Sequence, residues 1–330
     1  MLNKALFIFI CFSLILFGCQ AVDENKPNKT NNSEQQEPSE LELPKKHLKK
    51  FDTNDSVQVL NDYLLSLGYE VNDTNHFDAL TTWALTDIQL QLLPEHVSGM
   101  YDEQTRDILN QLKNNKQEII TEKELKKPQT SDFLPEVTDN PFDILVLVNK
   151  EHALPSDYIP NDLVVPNVRF PFTEDVPKKQ LRKVAADALE NLFKASDEAG
   201  LELFAQSGYR SYDRQETIFN NNIARHGEDY ANTYSARPGE SEHQTGLVMD
   251  VTNQAVNFEL TTEFGETKEG QWLKDNAHLY GYIIRYPEDK IEITKYQYEP
   301  WHIRYVGETL ASELHENNLS LEEYYKNSYE

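Results

Sequence analysis

Two short stretches, SEHQTGLVMD at residues 241–250 and EPWH at residues 299–302, contain the residues around which the second half of the chain is organised. Between them they supply two histidines and one aspartate: His243, Asp250 and His302. Two imidazoles and one carboxylate are a ligand set that leaves a catalytic Zn²⁺ with one open position for water. The two stretches therefore predict a zinc site.

The first stretch also predicts the strand that carries one of these ligands. Gly246 allows a tight entry into a strand over residues 247–251, in which side chains alternate between two faces. Asp250 in an otherwise apolar strand is energetically costly unless it is paired or bound to a metal. A metal ion would supply that partner.

Glu299 lies three residues before His302 and is a candidate general base. In a regular strand the two side chains would point to opposite faces of the sheet. Pro300 lacks a donor for strand pairing, so we expect a bulge or an irregular start there. Such an irregularity would bring both side chains to one site.

The sequence around these stretches predicts an α+β domain. Short apolar runs predict strands, and apolar residues at helical spacing predict helices between them. The expected strands cover residues 144–148, 201–205, 282–286 and 301–306. The expected helices begin at Pro177 and after the N-cap Ser211, and a third surrounds Trp272 and ends at Gly281.

Arg210 lies just before the helix that Ser211 is predicted to cap. A guanidinium at this position can pair with a carboxylate or an oxyanion, and the helix N-terminus adds a partial positive charge. An ordinary surface ion pair is the alternative for this residue.

The first residues of the chain predict export. A single positive charge at Lys4 precedes an apolar run that ends at Phe17 and is shorter than the roughly 20 residues of a spanning helix. The sequence LFGC at residues 16–19 resembles a bacterial lipoprotein processing site, with Cys19 as the lipidated first residue of the mature chain. Phe17 departs from that pattern, and cleavage near Gly18 without lipidation is the alternative.

Composition limits the partners of the chain. The two cysteines, Cys11 and Cys19, both lie in the predicted signal peptide region, so no disulfide framework is expected. The formal net charge of −25 disfavours binding to nucleic acid and electrostatic adhesion to anionic lipid. Attachment to a membrane would come from lipid on Cys19, which would hold the exported chain at the outer face of the bacterial cytoplasmic membrane.

Five segments follow from these patterns. After the lipoprotein-type signal peptide at residues 1–19, a polar stretch without aromatic residues predicts a disordered tether over residues 20–50. Helical periodicity predicts a three-helix domain over residues 51–115, with Gly68 closing the first helix. A polar connector at residues 116–141 leads to the second domain at residues 142–330.

The three-helix segment resembles the peptidoglycan-binding domain found beside many wall hydrolases. The resemblance rests on Leu60, Leu64 and the sequence LGY at residues 67–69, together with GMYD at residues 99–102. These are mostly core and turn residues, so a helical bundle that binds nothing is the alternative.

Three motifs in the second domain are similar to one enzyme family: SGYRSYDRQ at residues 207–215, PGESEHQTGLVMD at 238–250 and YEPWHIRYVG at 298–307. They resemble the VanY-type D-alanyl-D-alanine carboxypeptidases, in the wider group with lysostaphin-like peptidases and the Hedgehog signalling domain. The resemblance covers about residues 143–325 and implies an antiparallel sheet that carries the zinc site, with flanking helices. Lys295 stands where the family is expected to have Gly, which leaves the local turn open.

The resemblance also implies a role for each site residue. It implies that the zinc ligands are His243, Asp250 and His302 and that the base is Glu299. It also implies that the substrate is bound by Arg210, Gln215 and Ser241. Arg210 would lie near the carbonyl oxygen or the terminal carboxylate of the substrate. The implied activity is that of a zinc-dependent D,D-carboxypeptidase that hydrolyses the terminal D-Ala of peptidoglycan stem peptides.

Two kinds of alternative stay open at this point. An L,D-carboxypeptidase or a cross-link endopeptidase would use the same fold and the same site. A non-catalytic zinc-containing wall-binding protein would also share the fold, but it need not keep Glu299, which this chain has.

Overall fold

The structure is a computed structural model that describes residues 42–114, 117–128, 137–228, 231–232 and 235–329. The predicted signal peptide at residues 1–19, with Cys19, and most of the predicted tether lie outside the described residues. Within the described ranges, no helix combines the length and the apolar character that crossing a membrane requires.

Three short helices form the first domain: α1 (Asp55–Ser66), α2 (Ala79–Leu92) and α3 (Glu103–Lys113). Each begins after an N-cap whose side chain accepts a hydrogen bond from the backbone of the first turn, namely Asn54, Asp78 and Asp102. Their apolar faces, with Trp83, share one buried core. Gly68, close after α1, takes a φ of 92° that favours glycine. We call residues 42–114 the helical domain.

The chain is ordered before α1, where the sequence predicts a tether. Leu43 and Leu48 are buried in the core of the helical domain. Leu48 also pairs with Tyr101 through two backbone hydrogen bonds of 2.8 and 2.9 Å. The prediction that the disordered tether extends to residue 50 is therefore wrong for residues 42–50, because burial of these leucines outweighs the polar composition around them.

Part of the predicted connector packs on the helical domain. The indole of Trp83 donates to the carbonyl of Leu125 at 2.9 Å. The buried carboxylate of Asp87 accepts from the backbone N–H groups of Glu124 and Leu125, both at 2.8 Å. Residues 117–128 therefore belong structurally to the helices that precede them.

Six strands form two antiparallel sheets in the described part of the second domain. The short pair is β1 (Leu163–Val164) with β2 (Leu181–Arg182). The larger sheet has four strands in the order β3-β4-β6-β5, namely β3 (Phe204–Ser207), β4 (Val248–Thr252), β5 (Tyr282–Tyr286) and β6 (Glu299–Tyr305). The two strands that carry predicted ligands, β4 and β6, are thus the central neighbours of the sheet. The α+β fold with an antiparallel sheet is confirmed.

Six helices in the described part of the second domain surround this sheet: α4 (Lys183–Glu198), α5 (Tyr212–His226), α6 (Lys268–Asn276), α7 (Ile291–Thr294), α8 (Glu308–Asn317) and α9 (Leu321–Tyr329). Ser211 caps α5 by accepting a hydrogen bond from the backbone of Arg214, as predicted. A 3₁₀ turn continues α6 and ends at Gly281, which has a φ of 77°. Together α4, the sheet and α8 enclose the main apolar core.

Several predicted boundaries are wrong. No helix begins at Pro177, because Pro177–Lys179 forms a single 3₁₀ turn and β2 intervenes before α4. The fixed φ of proline suits the first residue of an α-helix and of a 3₁₀ turn equally well, so Pro177 does not distinguish the two. The strand expected at residues 201–205 lies at Phe204–Ser207, and the strand expected at 301–306 lies at Glu299–Tyr305.

Residues 144–148 are buried as predicted, but they do not form a strand. The guanidinium of Arg304 donates to two of their carbonyls, each at 2.9 Å, and the hydroxyl of Tyr325 donates to a third. The strand prediction is wrong because side-chain donors from β6 and α9 take the place of a neighbouring strand.

The helical domain makes buried contacts with the second domain. Arg182 of β2 is fully buried, pairs with Asp162 at 3.0 Å and donates to the carbonyl of Val97. The ring of Phe51 packs edge to face on two tyrosines of α9, with centroids 5.7 and 5.3 Å apart. These contacts hold the helical domain against β2 and α9.

Candidate active site

The three predicted ligands meet at one buried point on the sheet. His243 lies in a 3₁₀ turn, Glu242–Thr245, whereas Asp250 and His302 face each other across β4 and β6. His243 Nε2 is 3.4 Å from Asp250 Oδ2, and His302 Nδ1 is 3.2 Å from Asp250 Oδ1. One donor atom of each residue lies within 4.8 Å of the other two. The structure thus brings the whole predicted ligand set together.

A backbone carbonyl decides which nitrogen of His243 faces this point. Its Nδ1 lies 2.8 Å from the carbonyl of Gly208, which can only accept, so Nδ1 carries the proton and Nε2 keeps its lone pair. A Cβ at Gly208 would lie 2.5 Å from the carbonyl of Gln180, which explains the glycine. Burial, helped by Arg210, lowers the pKa of His243 to about 3. The ring is therefore neutral and available as a ligand.

His302 is oriented by Glu242, a residue that sequence analysis does not single out. Its Nε2 lies 3.4 Å from Glu242 Oε2, which leaves Nδ1 to face Asp250. A carboxylate behind a metal-binding imidazole fixes the orientation of the ring and raises its basicity. Burial lowers the pKa of His302, but the nearby carboxylates of Asp250 and Glu242 outweigh burial and raise it to about 9.

Glu242 is itself held by two guanidinium groups. Arg285 of β5 and Arg304 of β6 donate to its Oε1 at 2.8 and 2.7 Å, and all three side chains are 0% exposed. Burial alone would raise the pKa of Glu242, but the two arginines hold it well below its usual range. The sequence signal that could have revealed this carboxylate is an arginine between an isoleucine and a tyrosine in each of the two strands, because buried cations need a partner.

Glu299 faces the same point because β6 is irregular. The pairing of β6 with β5 passes from Ile303 opposite Ile284 to Glu299 opposite Tyr286, so three residues of β6 lie opposite one of β5. This bulge includes Pro300, where the sequence predicts it. It resolves the conflict between alternating side chains and a shared site.

The environment of Glu299 suits a proton-transferring group. Its Oε2 lies 3.5 Å from His302 Nδ1. Burial raises the pKa of Glu299 to about 7, a rise that the neighbouring Asp250 adds to and His302 opposes. A carboxylate that titrates near neutral pH can both accept and return a proton there.

A cleft of about 200 Å³ opens onto these residues and brings in the predicted substrate-binding set. Arg210 Nη1 donates to Gln215 Oε1 at 2.9 Å, and Gln215 Nε2 donates to the carbonyl of Ala236 at 2.6 Å. Gln215 therefore fixes the direction of the Arg210 guanidinium. The lining also includes Ser241, Glu242, Tyr286 and Tyr296.

Two tyrosines of the cleft are absent from the sequence prediction. The ring of Tyr286 lies 4.8 Å from the ring of His302 and 4.6 Å from that of Tyr296, measured between centroids. The hydroxyl of Tyr296 is buried and has no hydrogen-bond partner among the described residues. Aromatic residues near strands usually belong to a core, so sequence carries no separate signal for this placement.

The turn before Tyr296 keeps the conformation that a glycine would favour. Lys295 has a φ of 62°, in the left-handed region. The substitution of Lys where the family is expected to have Gly thus leaves the shape of the turn intact, at some cost in backbone strain.

The three ligand residues fit a metal ion. Asp250 Oδ1 is buried without a hydrogen-bond partner in the described part of the chain, which is costly for a carboxylate unless a cation binds it. Two imidazole nitrogens and a carboxylate oxygen form a donor set suited to divalent transition metals. The second nitrogen of each imidazole already faces a fixed acceptor, as in protein metal sites generally.

We predict that metal binding releases a proton. With a pKa of about 9, His302 is protonated at neutral pH before a metal binds, and Nδ1 must lose that proton to become a ligand. Affinity should therefore rise by up to about tenfold per pH unit between pH 6 and 9. Calorimetry in buffers of different ionisation enthalpy measures the released protons.

The Glu299→Gln variant serves as the control for this measurement. It has no ionisable group at position 299, so protons released from that side chain no longer add to the number released when the metal binds. An affinity that does not change between pH 6 and 9 in either protein would contradict the protonation of His302 before the metal binds.

Comparison with known proteins identifies the family. The family model "VanY: D-alanyl-D-alanine carboxypeptidase" matches residues 178–308, and the model "Putative peptidoglycan binding domain" matches residues 53–109. The chain is 54% identical over 191 residues to "Putative carboxypeptidase YodJ" of Bacillus subtilis, which covers 58% of this chain and 70% of that protein. It is 33% identical over 190 residues to the bifunctional D-Ala-D-Ala dipeptidase and carboxypeptidase VanXYC of Enterococcus gallinarum, covering 55% and 93%.

Comparison with a solved structure points to the same family. The L,D-carboxypeptidase LdcB is 52% identical to this chain and superposes with a TM-score of 0.57, over 62% of this chain and 93% of that one. The chain therefore belongs to the VanY family of D-alanyl-D-alanine carboxypeptidases and carries an N-terminal peptidoglycan-binding domain. It is a peptidoglycan carboxypeptidase of that family, and the resemblance drawn from its three motifs is confirmed.

Proposed function

We propose that this chain is a zinc-dependent L,D-carboxypeptidase that removes the C-terminal D-Ala from tetrapeptide stems of peptidoglycan. The observation that carries the carboxypeptidase chemistry is the cluster of His243, Asp250 and His302 with Glu299 beside it and Arg210 across the cleft. The choice of L,D specificity is supported by the 52% identity with LdcB, whose name states that activity.

A D,D-carboxypeptidase acting on pentapeptide stems is the second candidate. The family model carries that activity in its description, and VanXYC, at 33% identity, is named for it. The two activities differ by one residue in the length of the stem, so the same catalytic groups serve both. The walls of the cleft, including Tyr286 and Tyr296, are where the choice would be made.

Arg210 is the residue proposed to recognise the end of the peptide. Its Nη1 donates to Gln215 at 2.9 Å and its Nη2 to the hydroxyl of Ser207 at 3.4 Å, and the residue lines the same cleft as Glu299 and His302. A fixed guanidinium can bind a terminal carboxylate through two parallel hydrogen bonds. Recognition of a free carboxylate would restrict the enzyme to the last bond of the chain.

Glu299 is proposed as the general base and acid. When bound, a zinc ion in such a site supplies Lewis-acid chemistry, which lowers the pKa of water towards about 7 and polarises a carbonyl group. Glu299 would take a proton from the attacking water and deliver it to the amine of the departing D-Ala. Its position next to His302 Nδ1, at 3.5 Å, and its place in the lining of the cleft support this role.

The substrate is tested with two synthetic stems, one tetrapeptide and one pentapeptide, incubated with the zinc-loaded protein and followed by mass spectrometry. We expect the tetrapeptide to lose one D-Ala faster than the pentapeptide does. Faster loss from the pentapeptide would favour the D,D alternative. Full zinc occupancy with no cleavage of either stem would contradict the proposed activity.

Glu299→Gln should lower kcat by about 10²- to 10⁴-fold, the usual contribution of a general base. Zinc content should stay near that of the wild type, because Glu299 is outside the ligand set. Kinetics and metal analysis of the same sample check both statements, with the exposed Glu292→Gln as the matched control. Loss of zinc together with activity would show that Glu299 is needed for the metal instead.

We also propose, from the sequence, that the enzyme is exported and held at the outer face of the cytoplasmic membrane by lipid on Cys19. The helical domain would then bring it to its peptidoglycan substrate. Cys19→Ser should move the protein from the membrane fraction to the medium, measured by fractionation and immunoblotting. An unchanged distribution would contradict lipid anchoring.

A further inference from the structure

A buried chain of charges leads from His302 to the last helix of the molecule. Glu242, behind His302, accepts from Arg285 Nε at 2.8 Å. The other end of the same guanidinium donates to both oxygens of Glu322 in α9, at 2.8 and 2.6 Å. One arginine therefore joins the carboxylate behind a ligand to a carboxylate that lies beyond the residues matched by the family model, 178–308.

The position of Glu322 is fixed by its own helix. Ser320 and Glu323 form a reciprocal pair at the start of α9: Glu323 accepts from the backbone N–H of Ser320 at 2.8 Å, and the Ser320 hydroxyl accepts from that of Glu323 at 3.2 Å. Asn149 adds a hydrogen bond to Glu322 at 3.2 Å. The side chain of Glu322 is 13% exposed, so the contact is largely shielded from solvent.

The charges of these buried side chains balance one another. Two carboxylates, Glu242 and Glu322, face two guanidinium groups, Arg285 and Arg304, and three of the four side chains are fully buried. Neutralising Glu322 would leave one net positive charge beside a site that takes a cation. It would also draw Arg285 more strongly onto Glu242, which would weaken that carboxylate as an acceptor for His302.

We propose that Glu322 is a positioning residue for the metal centre, acting through Arg285 and Glu242 on the orientation and basicity of His302. The inference rests on the metal site proposed above. It connects one residue of α9 to the metal centre, although no residue of α9 lines the described cleft.

The test compares Glu322→Gln with Glu323→Gln in the full-length protein. Glu323 is the adjacent carboxylate, and its ion pair is with Lys290 at 3.1 Å and not with the buried network. A glutamine at position 323 keeps an oxygen that accepts from the backbone N–H of Ser320, so the start of α9 is preserved in this control. Zinc affinity is measured by competition with a chromophoric chelator, and the Co²⁺-loaded proteins are compared by visible spectroscopy. We expect Glu322→Gln to bind zinc at least about threefold more weakly, a fraction of the 10- to 100-fold effect typical of direct partners of ligands.

Further readouts separate positioning from general stability. Glu322→Gln should shift the Co²⁺ spectrum and lower kcat with little change in KM, whereas Glu323→Gln should match the wild type in all three. Wild-type affinity, spectrum and kcat in Glu322→Gln would overturn the inference. If the wild-type protein bound no zinc, the proposed function itself would fail, and the two results are thus distinguishable.

Glu322→Asp serves if the Gln variant does not fold. It keeps the charge and withdraws the carboxylate from Arg285 by one methylene, so we expect an intermediate loss of zinc affinity. Zinc affinity equal to that of the wild type in a folded Glu322→Asp protein would count against the inference.

Discussion

One carboxylate, Glu242, accepts from two buried guanidinium groups of the sheet and orients the imidazole of His302. Charges buried to this depth are tolerated only when each is paired and its remaining hydrogen bonds are made. Arg304 meets that condition by also donating to the carbonyls of Ile144 and Val146, and Arg285 meets it through Glu322. The position of the 3₁₀ turn, the central and edge strands and the last helix therefore all depend on the same group of charges.

The candidate metal ligands could be predicted from the sequence because metal chemistry demands particular residue types within short stretches. His243, Asp250 and His302 lie together, and the bulge at Pro300 follows from two local rules, alternation of side chains and the missing donor of proline. The caps at Ser211 and Gly281 are equally local. Patterns of this kind need no knowledge of distant parts of the chain.

The features that sequence did not predict depend on distant partners. Residues 144–148 have the composition of a strand, but donors from β6 and α9, more than 150 residues away, use their carbonyls. Residues 42–50 have the polar composition of a tether, but they are ordered because their leucines are buried in a core formed with α1 to α3. That core cannot be seen in the local sequence. In the sequence of an acidic chain, Glu242 cannot be distinguished from a surface carboxylate. Its burial becomes evident only once the two arginines that face it are known.

The buried contacts of Phe51 and Arg182 have a consequence for how the enzyme would meet a polymer. Because the helical domain is packed against β2 and α9, its surface and the cleft stand at one set separation. A glycan strand held by that domain would offer its stems to the cleft only at intervals matching this separation. The stems from which D-Ala is removed would then be those whose distance along the strand from the bound site equals the distance between the helical domain and the cleft.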